Sequence, residues 1–247
     1  MFPILGSYST LYFYSYKLVI GIGLAVALGL VAWQRPRPGW GDGVLICLLA
    51  GLVGGRVGFV LANWGYFEEH RPEIWLLWRG TLSYHGWLLA GWITFVIIYR
   101  RQWLAMADVL APAGTILSAF GWLACLLAGY GYGREGFIGP LTAELPDQYG
   151  LLAVRYQTQL AAMSFSLLAA IWLWWLREIR LRPGQRFWLA LFLLSSGRVI
   201  LSFFRGDPIP ILAGLRLDTL LDSLLLLFTF TQLLRKNDEP KSWTRSN

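Results

Sequence analysis

Charge is scarce in this chain. Asp, Glu, Lys and Arg make up only 14% of its 247 residues, whereas a soluble domain carries about a quarter. That excludes an ordinary soluble globular domain. Cysteine is nearly absent as well. Cys47 and Cys125 both lie inside apolar runs, which excludes a disulfide framework or a cysteine-based metal site and leaves two free thiols in helices. Histidine is rarer than the size of the chain suggests. No second histidine stands near His85, so no metal site is expected, and nothing in the sequence implies a cofactor. There is no Ser-His-Asp order and no Gly-x-Ser-x-Gly elbow, which removes the familiar serine hydrolase arrangements. Basic residues outnumber acidic ones, for a net charge of +7, but they are scattered over loops. A nucleic-acid partner is therefore not indicated.

What is present is apolar. Hydrophobic residues form 56% of the chain, and the mean hydropathy is +0.52. A membrane-spanning helix needs about 20 mostly apolar residues. Seven such stretches fall near 14–33, 43–63, 84–99, 105–128, 159–176, 187–203 and 217–234. The fold class read from them is all-α: a polytopic membrane bundle of about seven transmembrane helices. The first stretch has no basic segment before it and no small-residue cleavage site after it, so it reads as a retained helix. Abundant glycine suits close helix packing. Trp33, Trp64, Trp78 and Trp188 fall at span ends and suit interfacial belts. One membrane domain covers 1–236, followed by a polar tail at 237–247. The loops at 65–84 and 130–157 are long enough for short helices or caps, with an interfacial helix expected at 73–78. No inverted repeat or pair of broken helices points to a transporter.

Loop charge sets the orientation. Arg35, Arg37, Arg100, Arg101, Arg177, Arg180, Arg182, Arg186, Arg235, Lys236, Lys241 and Arg245 occupy one set of alternate loops and the C-terminal tail. The other loops hold only Arg71, Arg79, Arg134, Arg155, Arg205 and Arg216. The positive-inside rule places the N-terminus outside and the C-terminus in the cytoplasm.

Three residues interrupt this apolar pattern. Arg56 and Arg198 lie inside spans, where an arginine costs a few kcal/mol unless it has a partner or a task. His85 opens another span, beside glycines at 80 and 86, a suitable place for a general base or orienting group. Arg205 lies seven residues after Arg198, on the same helix face. Two guanidinium groups on one face repel unless an anion lies near, and their planar forks favour phosphate. A phospholipid headgroup site follows from this; the alternative for Arg205 is an interfacial arginine beside Asp207. Arg56 is either a structural ion-pair partner, with Asp108 as the candidate, or a ligand contact.

Several segments, in order along the chain, resemble the prolipoprotein diacylglyceryl transferase family. Ser15-Tyr16 matches the Tyr-Gly at the start of its first helix. Gly54 to Leu61 resembles its Gly-x-Arg pattern. Ser83-Tyr84-His85-Gly86 resembles the end of its Gly-Gly-x-Ser-Phe-His-Gly-Gly motif. Asp108 with Ala111-Pro112 resembles its Asp-x-x-Ala-Pro. Gln159-Leu160 resembles part of its His-Pro-x-Gln-Leu-Tyr-Glu, and Arg198 to Asp207 its Arg-Phe-x-x-Glu-Phe-Phe-Arg. The resemblance implies transfer of the diacylglyceryl group of phosphatidylglycerol, or another anionic phospholipid, to the lipobox cysteine of a prolipoprotein signal peptide. The setting would be the bacterial plasma (inner) membrane. It implies His85 and Arg198 as catalytic residues, with Arg205 also on the phosphate. Tyr16, Arg56, Gly86 and Arg134 would line the substrate site.

The sequence also departs from the family pattern. The signature Gly-Arg-x-Gly-Asn-Phe-x-Asn-Gly-Glu is replaced over 121–130, where Trp122 stands for the arginine, Cys125 and Ala128 for the asparagines and Tyr130 for the glutamate. Ser202 stands for the glutamate between the two arginines of the sixth helix. Arg134 is the candidate for replacing the lost positive charge. Two readings follow: a divergent transferase, or a catalytically inactive homologue that binds lipid or serves as a subunit of a membrane complex.

Overall fold

A computed structural model describes residues 4–8, 11–34, 39–76 and 82–235. Trp78, Gly80, Arg35, Arg37 and the expected tail at 237–247 lie outside them. Within these residues the chain is mainly helical. The helices are α1 (Ser15–Trp33), α2 (Trp40–Ala62), a short α3 (Trp64–Glu69), α4 (Tyr84–Tyr99), α5 (Trp103–Ala128), α6 (Thr158–Trp175), α7 (Gln185–Ser202) and α8 (Leu217–Leu234). Each of the seven apolar stretches is helical. Among the described residues, five helical segments are long and apolar enough to cross a membrane: Ser15–Trp33, Trp40–Ala62, Tyr84–Ala128, Thr158–Glu178 and Leu217–Leu234. The third holds both α4 and α5, which meet at Arg100, whose φ is +45°.

The packing is that of a membrane protein turned small side in. On α2, Gly43, Gly51, Gly55, Arg56 and Val60 are buried, while Leu45, Leu49, Val53, Val57 and Leu61 are exposed. Alanines dominate the apolar interior, among them Ala107, Ala111, Ala113, Ala119, Ala162, Ala169 and Ala190. Small residues let helix backbones approach, and lipid covers the large side chains outside. The contact of α2 with α4 shows how close this is. A Cβ on Gly86 would collide with the backbone of Gly54, and one on Gly58 would lie 3.1 Å from Gly86 Cα.

The interior also holds one aromatic cluster. Trp92, Trp103, Trp188 and Phe228 meet edge to face, with centroids 5.6 to 6.1 Å apart. Trp188 is therefore not the interfacial anchor that its place at a span end suggested; it is only 8% exposed. A single interfacial ring gains less than one packed among several rings.

The all-helical expectation misses three antiparallel hairpins. These are β1 (Ile4–Tyr8) with β2 (Leu11–Tyr14), β3 (Thr142–Pro146) with β4 (Leu152–Tyr156), and β5 (Ile211–Leu212) with β6 (Leu215–Arg216). The second fills the loop where helices or caps were expected. Its turn is set by Asp147, whose carboxylate accepts from the Tyr149 and Leu151 N–H groups at 2.8 and 3.0 Å. Such an Asx turn reverses the chain without a helix. Of the helix expected at 73–78, residues 73–75 belong to a short 3₁₀ helix over Arg71–Trp75 that follows α3, and 77–78 lie outside the described residues.

Candidate active site

Antiparallel packing gathers the polar residues at one end of the bundle. Ser83 N–H donates to Gly55 C=O at 2.8 Å, while Tyr99 at the far end of α4 donates to Trp40 C=O at 2.9 Å. So the start of α4 lies beside the end of α2. Likewise, the end of α7 lies beside the start of α8. His85, Arg198, Trp122, Gln159 and Tyr16 sit toward this end of their helices, and Arg205 lies just past the end of α7 rather than on its face. The opposite end carries Arg100, Arg101, Arg177, Arg180, Arg182 and Arg235, where Arg182 donates to the Arg235 carbonyl at 2.9 Å. There Asp108 accepts from the Gly184 and Phe187 N–H groups at 2.6 and 2.9 Å. It caps the first turn of α7, whose N–H groups have no partner within the helix.

The most deeply buried charged group at the site end is Asp222 of α8, 2% exposed. Its carboxylate is shared. Arg198 Nε lies 2.9 Å from both oxygens, and His85 Nε2 lies 2.9 Å from Oδ1. The Tyr84 ring faces the Arg198 guanidinium at 4.1 Å and meets the His85 ring edge-on at 5.2 Å. Ser83 caps α4 by accepting from Gly86 N–H at 3.3 Å, which fixes the helical turn that carries His85. Among the described residues, Arg198 makes its protein hydrogen bonds through Nε alone. Its two terminal nitrogens, the prongs of the fork, have no hydrogen-bond partner among those residues. A small crevice, with room for about one water molecule, adjoins it, lined by Ser118, Trp122, Ser166, Gly197 and Leu201.

Arg205 lies in a closed ring of alternating charges. Its Nε donates to Asp207 at 2.9 Å, its Nη2 donates to the same carboxylate, and its Nη1 donates to Asp218 at 2.8 Å. Arg216 contacts the same two acids at 3.1 and 3.3 Å. Burial opposes the charge on Arg205, but the two carboxylates more than offset this, so its pKa lies above the ordinary arginine value. The anion needed between two stacked arginines is therefore supplied by the protein. Arg205 fits the alternative of an arginine paired with Asp207, enlarged by Asp218 and Arg216.

The other residues singled out in the sequence have separate settings. Arg56 donates to the carbonyls of Ile74, at 3.0 Å, and Glu73, and lies 5.2 Å from the Phe67 ring. The ion pair between Arg56 and Asp108 does not form, since Asp108 is at the other end capping α7. Gly86 is a packing glycine against α2. Tyr16 rests on Tyr14, with centroids 5.5 Å apart. Arg134 is exposed, and its guanidinium lies 5.8 Å from the Phe204 ring. Trp122, where the family pattern has arginine, faces both Arg198 and Arg205, at 5.9 and 5.8 Å. A cation–π platform has taken the place of a third positive charge.

Sequence reasoning missed Asp218 and Asp222. A signal existed: two acids four residues apart, on one face of an apolar helix, cost as much at membrane depth as the arginines do. They are the counterparts of Arg205 and Arg198 across an antiparallel helix pair.

The family model described as prolipoprotein diacylglyceryl transferase matches residues 3–235 of the chain. A relative from Geobacillus kaustophilus is named phosphatidylglycerol–prolipoprotein diacylglyceryl transferase. It is 27% identical over 94% of this chain and 91% of its own length. A protein of the same name from Bacillus licheniformis is 27% identical over 86% of this chain and 84% of its own. One from Clostridium perfringens, named phosphatidylglycerol–prolipoprotein diacylglyceryl transferase 2, is 24% identical over 83% and 84%.

Proposed function

This chain belongs to the prolipoprotein diacylglyceryl transferase family, and on that premise we propose that it transfers the diacylglyceryl group of phosphatidylglycerol to the cysteine thiol of a prolipoprotein signal peptide. The carrying observation is the open fork of Arg198 beside His85. The phosphodiester of the lipid binds at the Arg198 terminal nitrogens. His85 takes the thiol proton. The sulfur forms a bond to the glycerol carbon that bears the phosphoester oxygen, and that carbon–oxygen bond breaks. Glycerol phosphate leaves with the electron pair, and its growing charge is held by Arg198. Tyr16 lines the lipid side. The Arg205 ring keeps the ends of α7 and α8 in place rather than contacting phosphate.

The protein is a multi-pass protein of the bacterial plasma membrane in this reading. Its seven main helices each cross, with the bundle end rich in arginine on the cytoplasmic side and the site end outside. The family names support the substrates, and the basic end supports the orientation.

The second reading, an inactive lipid-binding homologue or complex subunit, draws on Trp122 and on the carboxylates already paired with both arginines. One assay separates the two. Purified protein in phosphatidylglycerol vesicles is mixed with a lipobox peptide, and thioether formation is followed by mass spectrometry. Transfer that disappears in His85→Ala and Arg198→Ala establishes the enzyme. Bound phosphatidylglycerol without transfer establishes the second reading.

A further inference from the structure

Asp222 is a buried acid that the family pattern quoted above does not contain, and it touches both groups to which the proposed reaction assigns roles. Ser202, where that pattern has a glutamate between the two arginines, donates instead to the Val199 carbonyl at 2.7 Å. No carboxylate is available from α7 at that position. The acid comes from the neighbouring helix, since α8 runs antiparallel to α7 and sets Asp222 opposite Arg198.

We infer that Asp222 is the positioning residue of this site, fixing His85 as the Nε2–H tautomer so that Nδ1 is the nitrogen that accepts the thiol proton, and turning the Arg198 fork toward the phosphate. This rests on the transferase reading for the identity of the proton donor and the phosphate. A carboxylate can only accept, so the neutral imidazole nitrogen 2.9 Å away must carry the hydrogen. The lone pair is then on Nδ1. The same carboxylate holds Arg198 by Nε, at 2.9 Å to both oxygens. The Nε–H lies off the Cδ–Nε axis, so its bond to Asp222 restrains rotation of the guanidinium plane about that axis. The Tyr84 ring, 4.1 Å from the guanidinium carbon, closes the other face. A single carboxylate thereby sets the direction of both the base and the phosphate-binding group. During the reaction the proton moves from sulfur to Nδ1. Asp222 stays ionised beside the imidazolium, and no proton passes to it.

The test has two arms. In the first, Asp222→Asn is compared with wild type in the vesicle transfer assay. The amide keeps the shape, yet it can present N–H to the ring and favour the wrong tautomer. The turnover number is expected to fall about 10²-fold, as for loss of a carboxylate that orients a functional histidine. In a His85→Ala background, Asp222→Asn should cost clearly less than its roughly 10²-fold effect in wild type, because the histidine-orienting part of its role is already lost and only its hold on Arg198 remains. A turnover within about threefold of wild type, or losses that multiply in the double variant, overturns the inference. In the second arm, the chain is labelled with ¹⁵N-histidine in a His70→Gln background, which leaves His85 as the one labelled ring of the two histidines. The neutral ring should show protonated Nε2 and bare Nδ1, and Asp222→Asn should shift that pattern. Protonated Nδ1 in wild type overturns the inference even if Asp222→Asn fails to fold. Should wild type transfer nothing, the reaction proposed above fails. The spectrum then decides separately whether Asp222 sets the tautomer.

Discussion

Arg198 lies within α7 and Arg205 just past its end, off the shared helix face that their spacing suggested; the two have similar exposure and each pairs with an acid of α8, yet they are held differently. Arg198 is held at one nitrogen by Asp222, and its prongs stay open. Arg205 is held at all three nitrogens by Asp207 and Asp218, and Arg216 closes the ring. The number of partners, rather than burial, distinguishes the two: one carboxylate at one nitrogen for Arg198, two carboxylates at three nitrogens for Arg205. Arg56 is a third case. It is just as buried, at 6% exposed, but is neutralised by two backbone carbonyls and aromatic rings. Carbonyl dipoles satisfy a guanidinium without a counter-charge, which makes it a strut that ties the 73–74 segment to α2.

The comparison breaks first at the closed ring. Arg205→Ala leaves Asp218 and Asp207 with Arg216 alone, and removing one partner of a buried ion pair destabilises by about 3–5 kcal/mol. Thermal unfolding in detergent should show this, while turnover per folded molecule falls less than about tenfold. A turnover loss equal to that of Arg198→Ala would place Arg205 on the phosphate instead. At the open arginine the balance reverses. In the proposed reaction Arg198→Ala removes the group that holds the leaving phosphate, and loss of such a donor lowers turnover about 10²- to 10³-fold. Lysine at this position restores little, because it has no fork to hold by Nε.

Smaller effects sharpen the contrast. Arg56→Ala leaves the Ile74 and Glu73 carbonyls unmatched, and an unsatisfied buried acceptor costs about 1–3 kcal/mol. The unfolding temperature should drop with turnover per folded molecule unchanged. A selective rise in the KM for phosphatidylglycerol would make Arg56 a substrate contact. The smallest change is expected for Asp108→Ala, at the far end, where loss of a helix cap costs about 0.5–2 kcal/mol. Its transfer kinetics should match wild type, and a change in them would mean that α7 relays its position along its length.

The helices were legible in the sequence because a long apolar run has one answer in a bilayer: every backbone N–H and C=O must be satisfied within the segment. The run at 217–234 became α8 for that reason, whatever its neighbours. The arginines and His85 stood out because charge at that depth demands an explanation. The hairpin over Thr142–Tyr156 was hidden, since its turn depends on one carboxylate capturing two N–H groups, and its strands are too short to show alternation. Asp218 and Asp222 carried a weak signal beside the arginines, and nothing in sequence order joined 222 to 85 or 198.

The sequence by itself determined that this chain is a helical membrane protein and which residues are charged at depth, because composition and hydropathy act locally. It also determined the family, through motifs kept in order. Only the tertiary structure decided what each charge does. The antiparallel packing of α7 on α8, with α4 alongside, chose which carboxylate meets which arginine. A buried ion pair depends on distances of about 3 Å between residues far apart in the chain. That geometry left Arg198 open and closed Arg205, although both appear in the sequence as an arginine beside the same apolar run.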